Sequence, residues 1–371
     1  MLRVARRWAA APALQAEDRG RAQAIVAAPP AASGRIAVSY GVDQMPGPGD
    51  VATGGFVKFQ RLAEALPNEP RSFNLLYLGS SSAPRDAARL MRAARQRRAK
   101  VVWNQNGVAY PGWYGRGWER ANARMAVGLR DADVVFYQSA FCKLGADRYL
   151  GEPTGRSEVL YNAVDTSRFV PAEDVAGTGV LTLLLGGNQH HAYRVETAVR
   201  TLALVATQVD ARLVVTGTLA WPGAGDRASA VVRQLADQLG VADRLVFTGP
   251  YRQADAPEIL RGASLLLHTQ ENDACPNLVV EALASGLPVV YSDSGGVREL
   301  VGDEGGIGVP SASTWDEIIP SAPEAFAEAV LGVAASRATF SAAARDRAVE
   351  RFDIQPWVAR HVAVFQDLVG P

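Results

Sequence analysis

Asp273 and Glu281 are two of the carboxylates in the stretch "ENDACPNLVVEALASGLPVV", residues 271–290. After Asp273 this stretch carries one further charge, Glu281, set in a run that otherwise reads as buried. A carboxylate in the interior must be paired or hydrogen-bonded, because leaving it bare costs several kcal/mol, so something has to answer it. Pro276 suits the first turn of a helix, where its missing N–H costs nothing, and Gly286 suits the stop. The spacing predicts a helix over 276–285, with Leu278, Val279, Val280, Ala282 and Leu283 spread round its circumference and buried on nearly all sides. Its amino end, with free N–H groups and a partial positive charge, suits a phosphate. Glu281 then lies roughly 7.5 Å further along the axis, at about 1.5 Å per residue. That places it to accept both hydroxyls of a ribose, while Asp273 projects toward whatever is attached beyond the phosphates. The same spacing also permits a plainer arrangement, with Glu281 on a solvated stripe and Asp273 an ordinary loop acid.

The elements that must hold these residues are short apolar runs alternating with longer helical patterns from residue 35 onward. Strands are expected at "RIAVSYGV", "FNLLYLG", "KVVWNQN", "DVVFYQS" and "SEVLYNAV" in the first half, and at "VLTLLLGG", "RLVVTGT", "RLVFTG", "SLLLHTQ" and "LPVVYSD" in the second. Continuous Val/Leu runs separated by amphipathic segments such as "FVKFQRLAEAL" indicate parallel strands covered on both faces. The reading is α/β, with two doubly wound Rossmann-like domains facing across a cleft, and a ligand between them is the default expectation. Residues 1–34 read as a poorly ordered N-terminal extension, 35–170 as the first domain, 171–355 as the second, and 356–371 as a C-terminal helix packing back toward the first. The "SLLLHTQ" strand and the "ENDAC" loop put Asp273 at the carboxyl end of the second sheet.

The chain has 371 residues, 48% apolar and 20% charged, as in an ordinary soluble globular protein. Cys142 and Cys275 are far apart and form no C-x-x-C pair, which suggests neither a disulfide framework nor a zinc site and fits a reducing compartment. No run of 18 or more apolar residues spans a membrane. The formal net charge is zero, yet residues 1–170 hold 24 Lys+Arg against 14 Asp+Glu, and the remainder holds the reverse. Either the first half faces something anionic, such as a membrane surface or a phosphorylated acceptor, or the asymmetry is compositional drift. The basic run "RLMRAARQRRAK" reads as the outer face of a helix, with contact to anionic lipid as the alternative. The D-x-D of Asp131-Ala-Asp133 precedes the strand "VVFYQS" and so sits at the wrong end of the sheet for a metal-dependent transferase. No G-x-G-x-x-G follows a strand, which argues against a nicotinamide dehydrogenase.

With these residues in place, "DACPNLVVEALASGLPVV…SGGVRELVG" resembles the signature of family four glycosyltransferases of the GT-B fold. "YNAVDTSRFVP", "ADRLVFTGPY" and "GDVATGGFVKFQRLAEAL" are similar to three further motifs of that family, in the same order, over about residues 35–369. The resemblance implies a hexosyltransferase-type enzyme that moves a sugar, with retention, from a nucleotide-sugar to a glycan or lipid-linked acceptor in surface polysaccharide or glycolipid assembly. It implies no metal and no cofactor beyond the nucleotide-sugar co-substrate, no nucleic-acid partner, and a cytoplasmic location, peripheral at the inner face of the membrane. By carry-over, Asp273 contacts the donor sugar as the catalytic candidate. Gly54, Gly55, Gly187, Arg194, Cys275, Pro276, Asn277, Leu278 and Glu281 form the donor-binding set, with Glu281 on the ribose.

The chain departs from the family pattern in three places. Asp273 stands where the family usually has Glu, shorter by one methylene. "GGNQHHAYRVE" offers Arg194 where the family has an Arg and a Lys, with Asn188 or His190 as lesser candidates and a helix-surface arginine as the alternative. Adjacent His190 and His191 point in different directions and do not read as a metal site. Asn106 replaces a family His and cannot exchange protons as a histidine does. The nearby aromatics Tyr110, Trp113 and Tyr114 either stack on an acceptor sugar or fill a loop. These departures leave a competing reading, a non-catalytic homologue that binds a nucleotide-sugar or glycan.

Overall fold

The computed structural model describes residues 16–32, 34–46, 54–172, 179–221 and 227–370. Its first domain runs α1 (16–27), β1 (Val38–Ser39), α2 (Gly54–Ala65), β2 (Leu75–Gly79), α3 (Ala87–Gln96), β3 (Lys100–Gln105), α4 (Pro111–Tyr114), α5 (Trp118–Asp131), β4 (Val134–Tyr137), α6 (Ala140–Tyr149) and β5 (Arg156–Val159). The second runs β6 (Leu181–Leu185), α7 (Ala192–Val205), β7 (Ala211–Thr216), α8 (Ala228–Gln238), β8 (Leu245–Gly249), α9 (Ala256–Arg261), β9 (Leu265–His268), α10 (Asn277–Ala284), β10 (Val289–Asp293), α11 (Val297–Val301), β11 (Gly306–Pro310), α12 (Pro323–Ala335) and α13 (Arg337–Arg351). A last helix, α14 (Ile354–Val369), closes the chain.

Both sheets are parallel. The first has the order β1-β2-β3-β4-β5 and the second β11-β10-β9-β6-β7-β8. Each is covered on both faces, as the continuous apolar runs demand. In the first domain α3, α5 and α6 pack on one face around Trp103 and Leu129, while α2 and α14 pack on the other around Phe59, Tyr77 and Phe365. In the second, α7, α8 and α12 cover one face, and α9, α10, α11 and α13 the other. The chain reverses direction across the second sheet between β6 and β9, and the crevice at their carboxyl ends is the place where such sheets bind ligands.

Two features differ from what the sequence suggests. The strand β11 is spelled by "GIGVP", whose glycines and proline hide it from a search for apolar runs; it sits at the sheet edge beside β10. Within the N-terminal extension, residues 16–27 are helical: Ile25 is buried in the first core, and Arg21 pairs with Asp86. Residues 1–15 of that extension lie outside the described residues. Asp131 and Asp133 are ion-paired to Arg130 and Arg95 at the amino end of β4.

The helix α14 crosses back onto the first domain. Asp353 caps it by accepting from the Gln355 N–H at 2.9 Å, and Pro356 in its first turn costs no hydrogen bond. Its His361 is fully buried, with Nε2 at 3.0 Å from the Tyr77 hydroxyl and Nδ1 at 2.9 Å from the Trp357 carbonyl oxygen. Burial drives the His361 pKa down to about 3, so the ring is neutral.

Candidate functional site

The predicted helix is α10. Pro276 stands at its N-cap with extended backbone, and the helix ends at Ser285, one residue before Gly286. All its residues from Val279 to Ala284 are buried, Glu281 included at 8% exposure. Its amino end opens into a cavity of about 470 Å³ between the domains, lined among others by Gly187, Arg194, His268, Asp273, Leu278 and Glu281. Pro276 and Asn277 line it as well, and Val57 of α2 reaches it from the first domain. Among the predicted donor residues, Gly187, Arg194, Pro276, Asn277, Leu278 and Glu281 therefore share one cavity with Asp273.

Glycines let its walls come close. Gly187 has φ +81°, in the left-handed region, and a Cβ on Gly217 would stand 2.3 Å from the Gly187 carbonyl oxygen. The Gly295–Gly296 pair lies under the Asp273 loop. The Gly296 N–H donates to Asp273 O at 2.8 Å, and a Cβ on Gly295 would meet that oxygen at 2.4 Å. This is the physical content of the "SGG" motif: the loop that carries Asp273 rests on bare backbone.

Arg194 is not a surface residue. It is 4% exposed, donates from Nη1 to the Asn188 carbonyl oxygen at 3.1 Å, and among the described residues its buried Nε–H finds no partner. Desolvation lowers its pKa, opposed by the charge of Asp273. A buried guanidinium with an unspent N–H in a cavity at a helix amino end is a site for an anion. His268, at the end of β9, lies with Nε2 at 3.2 Å from Asp273 Oδ2, yet among the described residues neither ring nitrogen finds a hydrogen-bond partner. It is a further cavity residue that the sequence reading missed, since a histidine ending an apolar strand looks like core.

Glu281 is answered by Arg61 of α2, whose Nη2 donates to Glu281 Oε1 at 2.8 Å across the cleft. Desolvation raises the Glu281 pKa, and Arg61 opposes it. The remaining carboxylate of the loop, Glu271, is fully buried in a hydroxyl cage. Its oxygens accept from Ser321 N and Oγ, both at 2.9 Å, from Ser311 Oγ at 2.6 Å and from Ser292 Oγ. It holds the 311–321 segment in place, and Trp315 of that segment stacks on Phe141 of the first domain with ring centroids 4.8 Å apart.

Several predicted residues sit elsewhere. The Cys275 side chain is in the core of the second domain, where burial pushes its thiol up to about 12, and its carbonyl oxygen accepts from Asn162 Nδ2 at 2.8 Å. Tyr110 is 4% exposed and wedged against Trp315 and Tyr149, so it fills the loop. Trp113 packs on His191 across the cleft at 4.4 Å. Gly54 opens α2; Gly55 lies against Ser81 and Asn106, where a Cβ would meet Ser81 Oγ at 2.4 Å. Residues 49–53 of that motif lie outside the described residues.

Asn106 belongs to a buried polar cluster around Lys58, which is 4% exposed. Lys58 Nζ donates to Asn104 Oδ1 at 2.7 Å and reaches Asn106 Oδ1 at 3.4 Å, and the Gln138 amide, oriented with its oxygen toward Lys58, closes the group. Asn104 in turn donates to the Tyr77 hydroxyl at 3.2 Å, which joins the cluster to His361 of α14. Desolvation pulls the Lys58 pKa down to about 7, against opposing contributions from Cys275 and Cys142.

Comparison with known proteins bears on the same residues. Residues 181–336, the span from β6 through α12 that contributes most of the cavity, match the family model described as glycosyl transferases group 1. The D-inositol 3-phosphate glycosyltransferase of Salinispora tropica is 32% identical over 174 residues, 43% of this chain and 36% of that protein. The chain spans less than half the length of the curated relatives it matches. Among solved structures, the sucrose-phosphate synthase of Thermosynechococcus elongatus superposes with a TM-score of 0.65 at 17% identity, over 84% of this chain and 76% of that one. The Anabaena HepE protein, crystallised with UDP and glucose, gives 0.63 at 18%, over 84% and 81%. At these identities the likeness shows the fold, and it is GT-B: two α/β domains with a cleft between them.

The Lys58 cluster carries a pH signature. Below about pH 7 Lys58 is charged in both folded and unfolded chains, and its burial costs stability in full. Between that value and the ordinary lysine value of 10.5 the unfolded chain holds the extra proton, so this cost is relieved as pH rises. Lys58→Met is therefore expected to change the melting temperature more favourably, relative to wild type, at about pH 6 than at about pH 9.5. A difference that does not move between those two pH values would contradict the burial of a lowered-pKa lysine.

Proposed function

We propose that the protein is a family four glycosyltransferase that moves a sugar from a nucleoside diphosphate to a glycan or lipid-linked acceptor. The observation that carries this is Arg194: a buried guanidinium with an unpartnered N–H, facing the same cavity as the amino end of α10, Asp273 and Glu281. In this reading the diphosphate lies between Arg194 and the first N–H groups of α10, the ribose meets Glu281, and the sugar lies toward Asp273. When the bond from the anomeric carbon to the diphosphate breaks, its electron pair leaves on the diphosphate oxygen. Fixed donors there stabilise the developing charge without reorganising. The sugar gains oxocarbenium character, which the Asp273 carboxylate stabilises. The acceptor hydroxyl oxygen then bonds to the anomeric carbon, and its proton passes to the departing diphosphate.

The similarity of residues 181–336 to glycosyl transferases group 1, and the UDP and glucose bound by the HepE protein, support the donor class. Retention of configuration, a setting in polysaccharide or glycolipid assembly and a cytoplasmic location rest on the motif resemblance. Peripheral contact with an anionic membrane belongs to the same proposal. Its support is the exposed Arg92 and Arg98 near α3 and Arg120 and Arg124 on α5. Cosedimentation with phosphatidylglycerol vesicles but not with phosphatidylcholine vesicles is the expected result, and equal recovery with both would remove this partner.

The catalytic reading predicts release of the nucleoside diphosphate from one member of a panel of UDP-, GDP- and ADP-sugars, with or without added acceptor. Arg194→Ala is expected to lower kcat/KM by about 100-fold or more, and Glu281→Ala to abolish turnover. Unchanged turnover in Glu281→Ala would sink the assignment.

A further inference from the structure

The residue that answers Glu281 comes from the domain opposite the donor helix. Arg61 stands on α2, and its side chain and that of Glu281 are only 14% and 11% exposed. The guanidinium is held at two points. Nη2 donates to Glu281 Oε1 at 2.8 Å, and Nη1 donates to the carbonyl oxygen of Ala163 in the crossover between the domains. That crossover is itself tied to the donor loop, because the neighbouring Asn162 donates from Nδ2 to Cys275 O at 2.8 Å. Arg61 therefore cannot swing aside without breaking a second contact. It fixes Oε1, whereas among the described residues Oε2 accepts no hydrogen bond and the side chain lines the cavity.

A carboxylate reads a vicinal diol only when it is ionised and turned toward it, and pinning one oxygen from behind sets the direction of the other. Such preorganisation appears as affinity, because the cost of ordering is met before the ligand arrives. Truncating the guanidinium removes both effects: the carboxylate regains its rotamers and loses the charge that keeps it an acceptor in a desolvated site.

We propose that Arg61 is a positioning residue for the donor ribose: from the first domain it holds Glu281 turned so that Oε2 meets the ribose hydroxyls, and the ribose site is complete only with the two domains together. This rests on the donor-site reading above. A merely structural ion pair would support the fold and affect all ligands of the cavity alike, whereas a positioning role affects only ligands that carry the hydroxyls.

The test is calorimetric binding of UDP, GDP and ADP, each beside its 2′,3′-dideoxy counterpart, to wild type, Arg61→Ala, Arg61→Lys, Glu281→Gln and the double variant Arg61→Ala/Glu281→Gln. One ribonucleotide is expected to bind wild type more tightly than its dideoxy form. Arg61→Ala should weaken the ribonucleotide about tenfold, the loss of one charge-assisted contact, while the dideoxy form changes by less than about twofold. Arg61→Lys, which keeps the charge and serves if the alanine variant does not fold, should fall between. The double variant should bind the ribonucleotide no more weakly than Glu281→Gln alone. Equal losses for ribo and dideoxy forms, or additive losses in the double variant, would overturn the role of Arg61 and leave the donor site standing. A wild type that does not distinguish the two forms would do the same. If none of the nucleotides binds wild type, the donor-site reading itself fails, and the role of Arg61 with it.

Discussion

A carboxylate inside a protein must be met by a donor or a cation, and in this molecule that requirement reaches across two domains. Glu281 sits in a helix buried on nearly every side, and its partner Arg61 lies on the glycine-led helix of the other domain. Breaking such a pair by removing one member typically costs about 3–5 kcal/mol, because the other is left charged and unmatched. The relative placement of the domains, the path of the crossover at Ala163 and the direction of Glu281 are therefore one constraint. A structure that satisfies it has a closed cleft with the donor helix pointing into it.

Other polar contacts cross the same boundary and follow the same physics. Glu299 of α11 accepts from the Ala140 and Phe141 N–H groups at 2.7 and 2.8 Å, so that an acidic residue of the second domain meets the positive end of α6 in the first. Within the first domain, Arg156 and Glu158 of the last strand pair at the surface with Asp367 and Arg360 of α14. The excess of basic residues in the first half and of acidic residues in the second is turned toward the other domain at Arg61 and Glu281. The exposed arginines near α3 and on α5 are the part that faces outward.

What was legible in the sequence was whatever depends on local pattern. The ten runs all carry strands: β2, β4, β6 and β9 are apolar because they are buried on both faces, whereas the edge strands β5 and β8 are partly exposed; α10 lies within one residue of the span set by Pro276 and Gly286. The requirement that something answer Glu281 was also legible; the identity of the answer was not. Arg61 lies 220 residues away in a helix whose amphipathic spacing makes it look like any outer-face arginine. Lys58 was hidden in the same way, since a lysine in an amphipathic helix is ordinarily solvated, and only the polar floor of Asn104, Asn106 and Gln138 makes its burial tolerable. Cys275 and Tyr110 show the opposite failure. Both lie beside motif residues in the chain, yet their side chains turn into packing, because adjacency in sequence does not fix the direction of a side chain. Glu271 is more deeply buried than Asp273, yet nothing local in the sequence marks it, because the serines that hold it come from three separate segments and meet only in the fold.

The most direct measurement of the account is a crystal structure of the protein soaked with a nucleoside diphosphate that binds it. The account predicts the diphosphate within hydrogen-bonding distance of Arg194 Nε and of the Leu278 N–H, and the ribose hydroxyls on Glu281 Oε2 with the Arg61 contact to Oε1 intact. A nucleotide seated elsewhere, or one bound in this cavity with Glu281 turned away from the ribose, would contradict it.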